Sequence, residues 1–263
     1  FEAGVDLNQE TGKGNRIGDG EEGIGDYALF ASAEYLPLPA ITLRPGLRYA
    51  YNTRYGAPLV PSFNLRWQMN EGFTLRASYA SGFRAPSLKE LYLFFVDVNH
   101  DIVGNDDLDA ERSHNINTAL AYRHAKDKGV YTSEVSLFYN TISDLIMLAQ
   151  TSATRYSYVN IGHYRTVGGS LGAGWDNGHW VISCGTSVTG RYDDVAASSG
   201  SPYLFNSEVR ASVTKQWLRK GWSGSAFWKW QDRLPNYAVL ADGTVSRSFV
   251  SAFHMADASL TKR

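Results

Sequence analysis

The sequence predicts an all-β fold, an antiparallel transmembrane β-barrel portion of about twelve strands, on three observations. Long segments alternate polar and apolar residues, the connections between them alternate between short and long, and aromatic residues gather at segment ends. Of the 263 residues, 43% are hydrophobic and 19% charged, which excludes disorder. Aromatics reach 13%, with 16 Tyr, 12 Phe and 7 Trp, a composition suited to strands.

The alternation is clearest in residues 41–53, ITLRPGLRYAYNT. Ile41, Leu43, Pro45, Leu47, Tyr49 and Tyr51 share one face of an extended chain, and Thr42, Arg44, Gly46, Arg48 and Asn52 share the other. Phe63, Leu65, Trp67 and Met69 repeat it against Asn64, Arg66, Gln68 and Asn70, as do Phe73, Leu75, Ala77 and Tyr79 against Thr74, Arg76 and Ser78. Two later series follow the same rule: Trp180, Ile182, Cys184, Thr186 and Val188, then Trp222, Gly224, Ala226, Trp228 and Trp230.

Short turns are expected at Leu38 and Pro39, at Glu71 and Gly72, over 126–129, at Asn177 and Gly178, and over 219–221. Long loops fall between them at 11–25, 54–61, 85–111, 150–156, 193–202 and 238–246. Short turns on one rim and long loops on the other are the pattern of an outer-membrane barrel. Lipid offers no hydrogen bonds, so backbone groups pair between strands, apolar side chains face acyl tails and polar ones line the lumen. Tyr35, Trp67, Trp175, Trp180, Trp217 and Trp222 sit near segment ends, where an interfacial girdle belongs. A large soluble β-protein is the alternative, with its apolar faces turned inward.

Charge and cysteine content narrow the function classes. With 25 basic and 26 acidic residues the net charge is −1, which leaves no electrostatic footprint for nucleic acid. Cys184 is the single cysteine, so disulfide frameworks and multi-cysteine metal sites are excluded and a packing role is expected. No apolar run approaches the 18 or so residues of a transmembrane helix, and no signal peptide is evident. The chain opens on FEAGVDLNQ, which reads as the middle of a strand, so a cut N-terminus is expected.

Residues 82–111, GFRAPSLKELYLFFVDVNHDIVGNDDLDAE, break the alternation with an apolar knot from Leu91 to Val96 and a lone His100; a helical turn or two is all that 85–95 allows. By the turn pattern they lie on the long-loop rim, where binding residues concentrate. GFRAPSLKELY followed by GNDDLDAERS resembles the paired signatures of TonB-dependent outer-membrane receptors, with Glu111, Arg112 and Ser113 opening the next strand. Residues 158–175, YVNIGHYRTVGGSLGAGW, are similar to a further strand of that family. One departure is Asp106 where the family usually has proline.

The resemblance covers the whole chain and implies a single unit, 1–263, as a partial receptor barrel. It would supply about 12 of about 22 strands, with the plug domain and TonB box absent and the end a hairpin or so short of the family's terminal aromatic residue. The implied function is import of a scarce metal compound, haem or a ferric siderophore, with cobalamin as the alternative cargo of the same superfamily. No intrinsic cofactor is implied; the partners would be outer-membrane lipid, a small metal chelate and, through a plug, the TonB complex. An outer-membrane barrel enzyme and a passive porin are the readings from other classes; no Gly-x-Ser-x-Gly elbow supports the enzyme, and the motif pair favours the importer.

Ligand binding is expected at Phe83, Arg84, Ala85, Pro86, Tyr92, Phe94, Phe95, His100, Asn105, Asp106, Asp107 and Leu108. His100 resembles the loop histidine with which haem receptors ligate iron, and Leu91, Tyr92, Phe94 and Phe95 would pack a porphyrin face; the commoner reading is an ordinary polar loop residue, with Leu91 to Val96 folding the loop onto the barrel rim. His114 and His124 share a strand face but lie ten positions apart, too far to chelate one metal. Asp193 with Asp194, and Asp106 with Asp107, offer carboxylates to Ca²⁺ without the six to eight oxygens it takes. Arg44, Arg48, Arg66, Arg76 and Arg210 are expected in the lumen, holding an acidic plug surface, attracting an anionic ligand or simply hydrating the interior.

Overall fold

The computed structural model describes residues 1–17, 20–98, 101–152, 154–193, 203–239 and 245–262. The strands are β1 (Glu2–Lys13), β2 (Glu21–Ser32), β3 (Tyr35–Leu38), β4 (Ile41–Asn52), β5 (Leu59–Gln68) and β6 (Phe73–Arg84). A short helix α1 (Leu88–Tyr92) and the small strands β7 (Phe94–Val96) and β8 (Asp101–Val103) precede β9 (Glu111–Lys126), β10 (Gly129–Gln150), β11 (Arg155–Asp176) and β12 (Trp180–Asp193). β13 (Leu204–Trp217), β14 (Trp222–Gln231), β15 (Leu234–Val239), β16 (Val245–Val250) and β17 (Phe253–Lys262) complete the chain.

One antiparallel sheet runs β1-β2-β4-β5-β6-β9-β10-β11-β12-β13-β14-β17, the twelve principal strands the alternation predicts. β1 and β17 are its open edges. β3 prolongs the β2 arm against β4, and the break between them falls opposite Pro45, which has no N–H to donate. β15 and β16 form a separate hairpin.

Register shows why the two faces differ. One cross-strand row reads Ile41, Trp67, Leu75, Leu120, Val135, Leu171, Thr186, Val209 and Trp230. The next reads Thr42, Arg66, Arg76, Ala119, Ser136, Ser170, Ser187, Glu208 and Gln231. The first row faces outward, and Val135, Leu137 and Leu171 stand exposed on that wall. The second lines the interior, and polar side chains of that face bond to one another: Ser136 to Ser170 at 2.7 Å, Lys229 to Glu208 at 2.6 Å, Arg48 to Asp6 at 3.0 Å and Arg44 to Glu34 at 3.5 Å.

At the short-turn rim the girdle is built as expected. Phe73 packs on Tyr122 with ring centroids 4.7 Å apart, the Trp175 indole donates to the Lys128 carbonyl at 3.2 Å, and the Lys215 ammonium lies 4.5 Å from the Trp180 ring. Cys184, exposed, belongs to the outward series.

The long-loop rim departs from expectation. β1 runs to Lys13 and β2 starts at Glu21; β10 runs to Gln150 and β11 starts at Arg155; β5 already starts at Leu59; β15 and β16 pair on both sides of 240–244. The loops set at 11–25, 150–156, 54–61 and 238–246 are therefore shorter than the alternation implies. Pairing continues in water after the amphipathic pattern ends, and β10 and β11, at 22 residues each, far exceed the 10 or so needed to cross lipid.

Placing a cation on the outward wall provides the check. Val135→Arg should destabilise the complete receptor in lipid vesicles by about 2–4 kcal/mol, while Ser136→Gln on the lumen side should cost under about 1 kcal/mol. Urea titration followed by tryptophan fluorescence measures both; equal effects would reverse the two faces.

Candidate functional site

The segment between β6 and β9 is folded, not irregular. Ser87 caps α1 and Glu90 reaches back to it, a Ser-x-x-Glu capping box: Glu90 N donates to Ser87 Oγ at 3.3 Å and Ser87 N donates to Glu90 Oε2 at 2.8 Å. β7 and β8 then make a hairpin, and β8 lies parallel to the start of β11 with Arg155 and Asp101 paired at 3.2 Å.

Arg84 ties these parts together. Its guanidinium donates twice to Glu111, at 2.8 and 2.6 Å, and twice to Glu90, at 3.1 and 2.9 Å. Glu90 and Glu111 are 15% and 13% exposed while Arg84 is 45% exposed, so one partly solvated cation neutralises two largely enclosed anions. Glu111 Oε1 also accepts from the backbone N–H of Ile146 at 2.8 Å. Burial pushes the Glu90 carboxyl up, but hydrogen bonds from Arg84 and Ser87 outweigh it and hold the group below its ordinary value.

Under this brace lies a small apolar core of Leu91, Leu108 and Ile146, with Tyr55, Tyr92 and Tyr158 packed against it. Pro86 and Leu88 are also fully enclosed. Asn105 accepts from Asp107 N at 3.0 Å, closing an Asx turn, and donates to the Tyr158 carbonyl at 3.0 Å. Gly104 fits because a Cβ there would meet the Leu91 carbonyl at 2.5 Å. Asn160 joins three elements: it donates to Asp109 O at 3.0 Å and Asp144 O at 2.6 Å, and accepts from Asp109 N at 2.8 Å. Asp144 holds φ at 58°, a left-handed conformation that Asp tolerates better than most residues.

The expected binding residues thus divide. Arg84, Pro86, Asn105 and Leu108 hold the loop in shape, and Phe83 and Ala85 border a cavity of about 400 Å³ shared with Asp6, Glu10 and Arg48. Tyr92, Phe94, Phe95, Asp106 and Asp107 lie along the accessible edge of the loop, away from that cavity, Phe94 being 52% exposed. His100 and Asp194 lie outside the described residues. Among the described residues no group of three His, Cys, Asp or Glu side chains is placed to hold a metal ion.

Sequence reasoning missed Arg54 and Arg16, which come from other loops. Arg54 donates to the Tyr92 hydroxyl and, at 2.6 Å, to the Asp106 carbonyl, with its guanidinium 5.4 Å from the Tyr92 ring. Arg16 stacks 4.6 Å from the Phe95 ring. Burial pushes the Tyr55 and Tyr92 phenols up against the pull of Arg54, so both remain protonated. The result is an exposed edge where guanidinium and aromatic groups alternate, suited to a flat or multiply anionic ligand. The lumenal arginines are partly used within the wall: Arg48 also reaches Asp26 at 3.4 Å, and Arg66 binds Gln68 at 3.1 Å.

Residues 5–263 match the family described as TonB dependent receptor-like, beta-barrel. The chain is similar to the ferric enterobactin receptor of Pseudomonas aeruginosa, 32% identical over 109 residues, 37% of this chain and 15% of that protein. Its fold is similar to a solved structure of a variant of that organism's PfeA receptor with enterobactin, at TM-score 0.75 and 18% identity, covering 99% of this chain and 43% of that one. It is likewise similar to the FrpB iron transporter from Neisseria meningitidis, at TM-score 0.71 and 16% identity, covering 99% and 45%. The chain therefore spans less than half the length of these proteins.

Removing Arg84 tests the brace. Arg84→Ala should destabilise the 85–110 segment by about 1–3 kcal/mol, allowing for Arg84's exposure, seen as faster amide exchange there and unchanged exchange in β9 and β10. Because Glu90 is held below its ordinary value, its contribution is complete above the ordinary glutamate range and is lost as pH falls through the lowered one. Protection of the segment should drop on that acidic limb, and Glu90→Gln should remove the dependence.

Proposed function

Because this chain belongs to the TonB dependent receptor-like β-barrel family, a family of receptors and transporters of the bacterial outer membrane, we propose that it is part of a receptor importing a ferric siderophore. The chain supplies wall and extracellular rim, and a plug domain coupled to the TonB complex completes the transporter. On this reading it is a transport protein and not an enzyme, and 1–263 is one partial barrel unit.

The observation that carries the proposal is the alternating cationic and aromatic edge of Arg54, Tyr92, Arg16 and Phe95, whose two aromatic members sit on the segment that Arg84 braces. A ferric catecholate chelate is rigid, aromatic and multiply anionic, so guanidinium groups beside ring faces bind it through charge and stacking together. Tyr92 and Phe95, together with Phe94, Asp106 and Asp107 along the same edge, would line the receiving surface. Arg84, Pro86, Asn105 and Leu108 would serve it by holding the loop. The names of the similar proteins favour a siderophore over haem or cobalamin.

Arg54→Ala in the complete receptor should weaken ferric catecholate binding about 10- to 100-fold, read by tryptophan quenching and by ⁵⁵Fe uptake, with Phe95→Ala acting in the same direction. Haem titration should leave the Soret band unshifted, in the parent and in His100→Ala. A haem spectrum lost with His100, or full chelate affinity in Arg54→Ala, would overturn the assignment.

A further inference from the structure

Low on the lumen wall lies a cationic recess with almost no counter-charge. Two adjacent inward rows build it. One sets Arg44 of β4 beside Asn64, Ser78 and Asn117 of the next three strands and ends at Phe138 of β10. The row below sets Arg66 of β5 beside Arg76 of β6 and ends at Ser136. They enclose a cavity of about 410 Å³, a volume in the range of small-molecule sites.

Arg66 and Arg76 are direct cross-strand partners, which sets their Cβ atoms roughly 5 Å apart, and Arg44 is diagonal to Arg66 across Asn64, roughly 7–8 Å away. Like charges directly opposite one another repel. Among the described residues neither Arg66 nor Arg76 has a carboxylate partner: Arg66 bonds Gln68 at 3.1 Å, and Arg76 bonds no side chain at all. Arg44 meets Glu34 at 3.5 Å with both groups about half exposed. Glu134, on the inward face of β10, is opposite Ala121 and pairs with none of the three.

The rest of the recess also offers donors. Asn64, Ser78 and Asn117 make no side-chain hydrogen bond among the described residues, and Phe138 presents a ring over Gly168, where a Cβ would meet it at 2.7 Å. Guanidinium forks, amide N–H groups and a hydroxyl near one ring suit a multiply anionic aromatic ligand. Above the recess the wall carries little bulk. On β6 only Ser78, Ala80 and Gly82 stand inward between Arg76 and Arg84, and on β4 only Gly46 stands between Arg44 and Arg48. Small side chains therefore line the way down from the rim cavity that Arg48, Phe83 and Arg84 border.

We propose that Arg44, Arg66 and Arg76 form a second anion site, low on the lumen wall of β4 to β6, that holds the anionic cargo after it leaves the rim. The proposal rests on the siderophore reading for the identity of the cargo, and on register and charge for the site itself. Arg76 is roughly 27 Å along β6 from Arg84, so the two sites are filled in turn and not together. A chelate moving along this wall exchanges the rim guanidiniums for these, and its charge is paired at both ends of the passage.

The test uses the complete receptor, with Arg66→Gln/Arg76→Gln to remove the charge and Arg66→Lys/Arg76→Lys to keep it. Binding of ferric catecholate at the rim, read by tryptophan quenching, should be unchanged in both. Uptake of ⁵⁵Fe should fall at least about tenfold in the Gln variant and less than about threefold in the Lys variant. With the rim disabled by Arg54→Ala/Phe95→Ala, calorimetry should still find weaker binding of the chelate and of pyrophosphate, both lost when Arg66→Gln/Arg76→Gln is added. Unchanged uptake in the Gln variant, or pyrophosphate binding that is absent or indifferent to these arginines, would overturn the proposal. So would faster proteolysis of the plug in the Gln variant, which would make an acidic segment of the plug the occupant. A parent receptor that binds no ferric catecholate defeats the siderophore reading instead, and the pyrophosphate titration then decides the anion site by itself.

Discussion

Everything in this structure depends on the fact that hydrocarbon cannot accept or donate a hydrogen bond. A backbone crossing it must satisfy its N–H and C=O groups on neighbouring strands, and with no helix among the described residues long and apolar enough to cross, this chain does so through one continuous antiparallel ladder. Once the ladder is obligatory, side chains can only alternate. The row from Ile41 to Trp230 and the adjacent row from Thr42 to Gln231 are the two products of that alternation, one matched to acyl chains and one to water. The serine pairs and ion pairs of the lumen face follow, because polar side chains in a wet interior still gain from partners held at fixed cross-strand spacing.

Above the lipid the constraint relaxes, and side chains take over work that the ladder does below. Asn160 bonds two backbone carbonyls and one N–H where β10 and the 85–110 segment approach each other, and Glu111 accepts the N–H of Ile146. Arg84 gathers two carboxylates from different elements, so the ends of β6 and β9 and the helix between them move as one unit. The accessible edge of the loop inherits that rigidity: Tyr92 and Asp106 are placed by α1 and the Asx turn, and Arg54 only has to reach across to them. Such a surface loses little conformational entropy when a rigid ligand arrives.

The barrel wall was legible in the sequence because period-two alternation and turn spacing are local signals, and Ile41 to Thr53 alone displays both faces. The upper rim was less so. Strand ends such as Asn140 to Ala149 rise above the lipid, where Ile146 packs into the loop core, so no lipid face imposes alternation on them and the loops came out too long. Ser87 and Glu90 carried a visible capping signal that places α1. Asn105 and Asp107 showed turn chemistry but not the Tyr158 carbonyl that Asn105 binds. Arg54 and Arg16 left no trace near the loop they join, being about thirty to eighty positions away in sequence, and only the sheet order brings them to Tyr92 and Phe95.

The two faces of the rim are linked through a single register. Arg84 and Glu111 are direct cross-strand partners at the last rung of the β6–β9 ladder, both turned inward; the next rung pairs Phe83 with Arg112, both turned outward. Successive residues of β9 therefore serve opposite faces, Glu111 the brace within the rim and Arg112 the outer wall. Sliding β9 by one residue would exchange them, sending a carboxylate to the outer face and a second arginine against Arg84. The bidentate bond between Arg84 and Glu111 opposes that slip at the point where the ladder ends and backbone pairing holds register least. One half-enclosed ion pair at the top of the barrel thus helps fix which face of the wall turns outward and which turns inward.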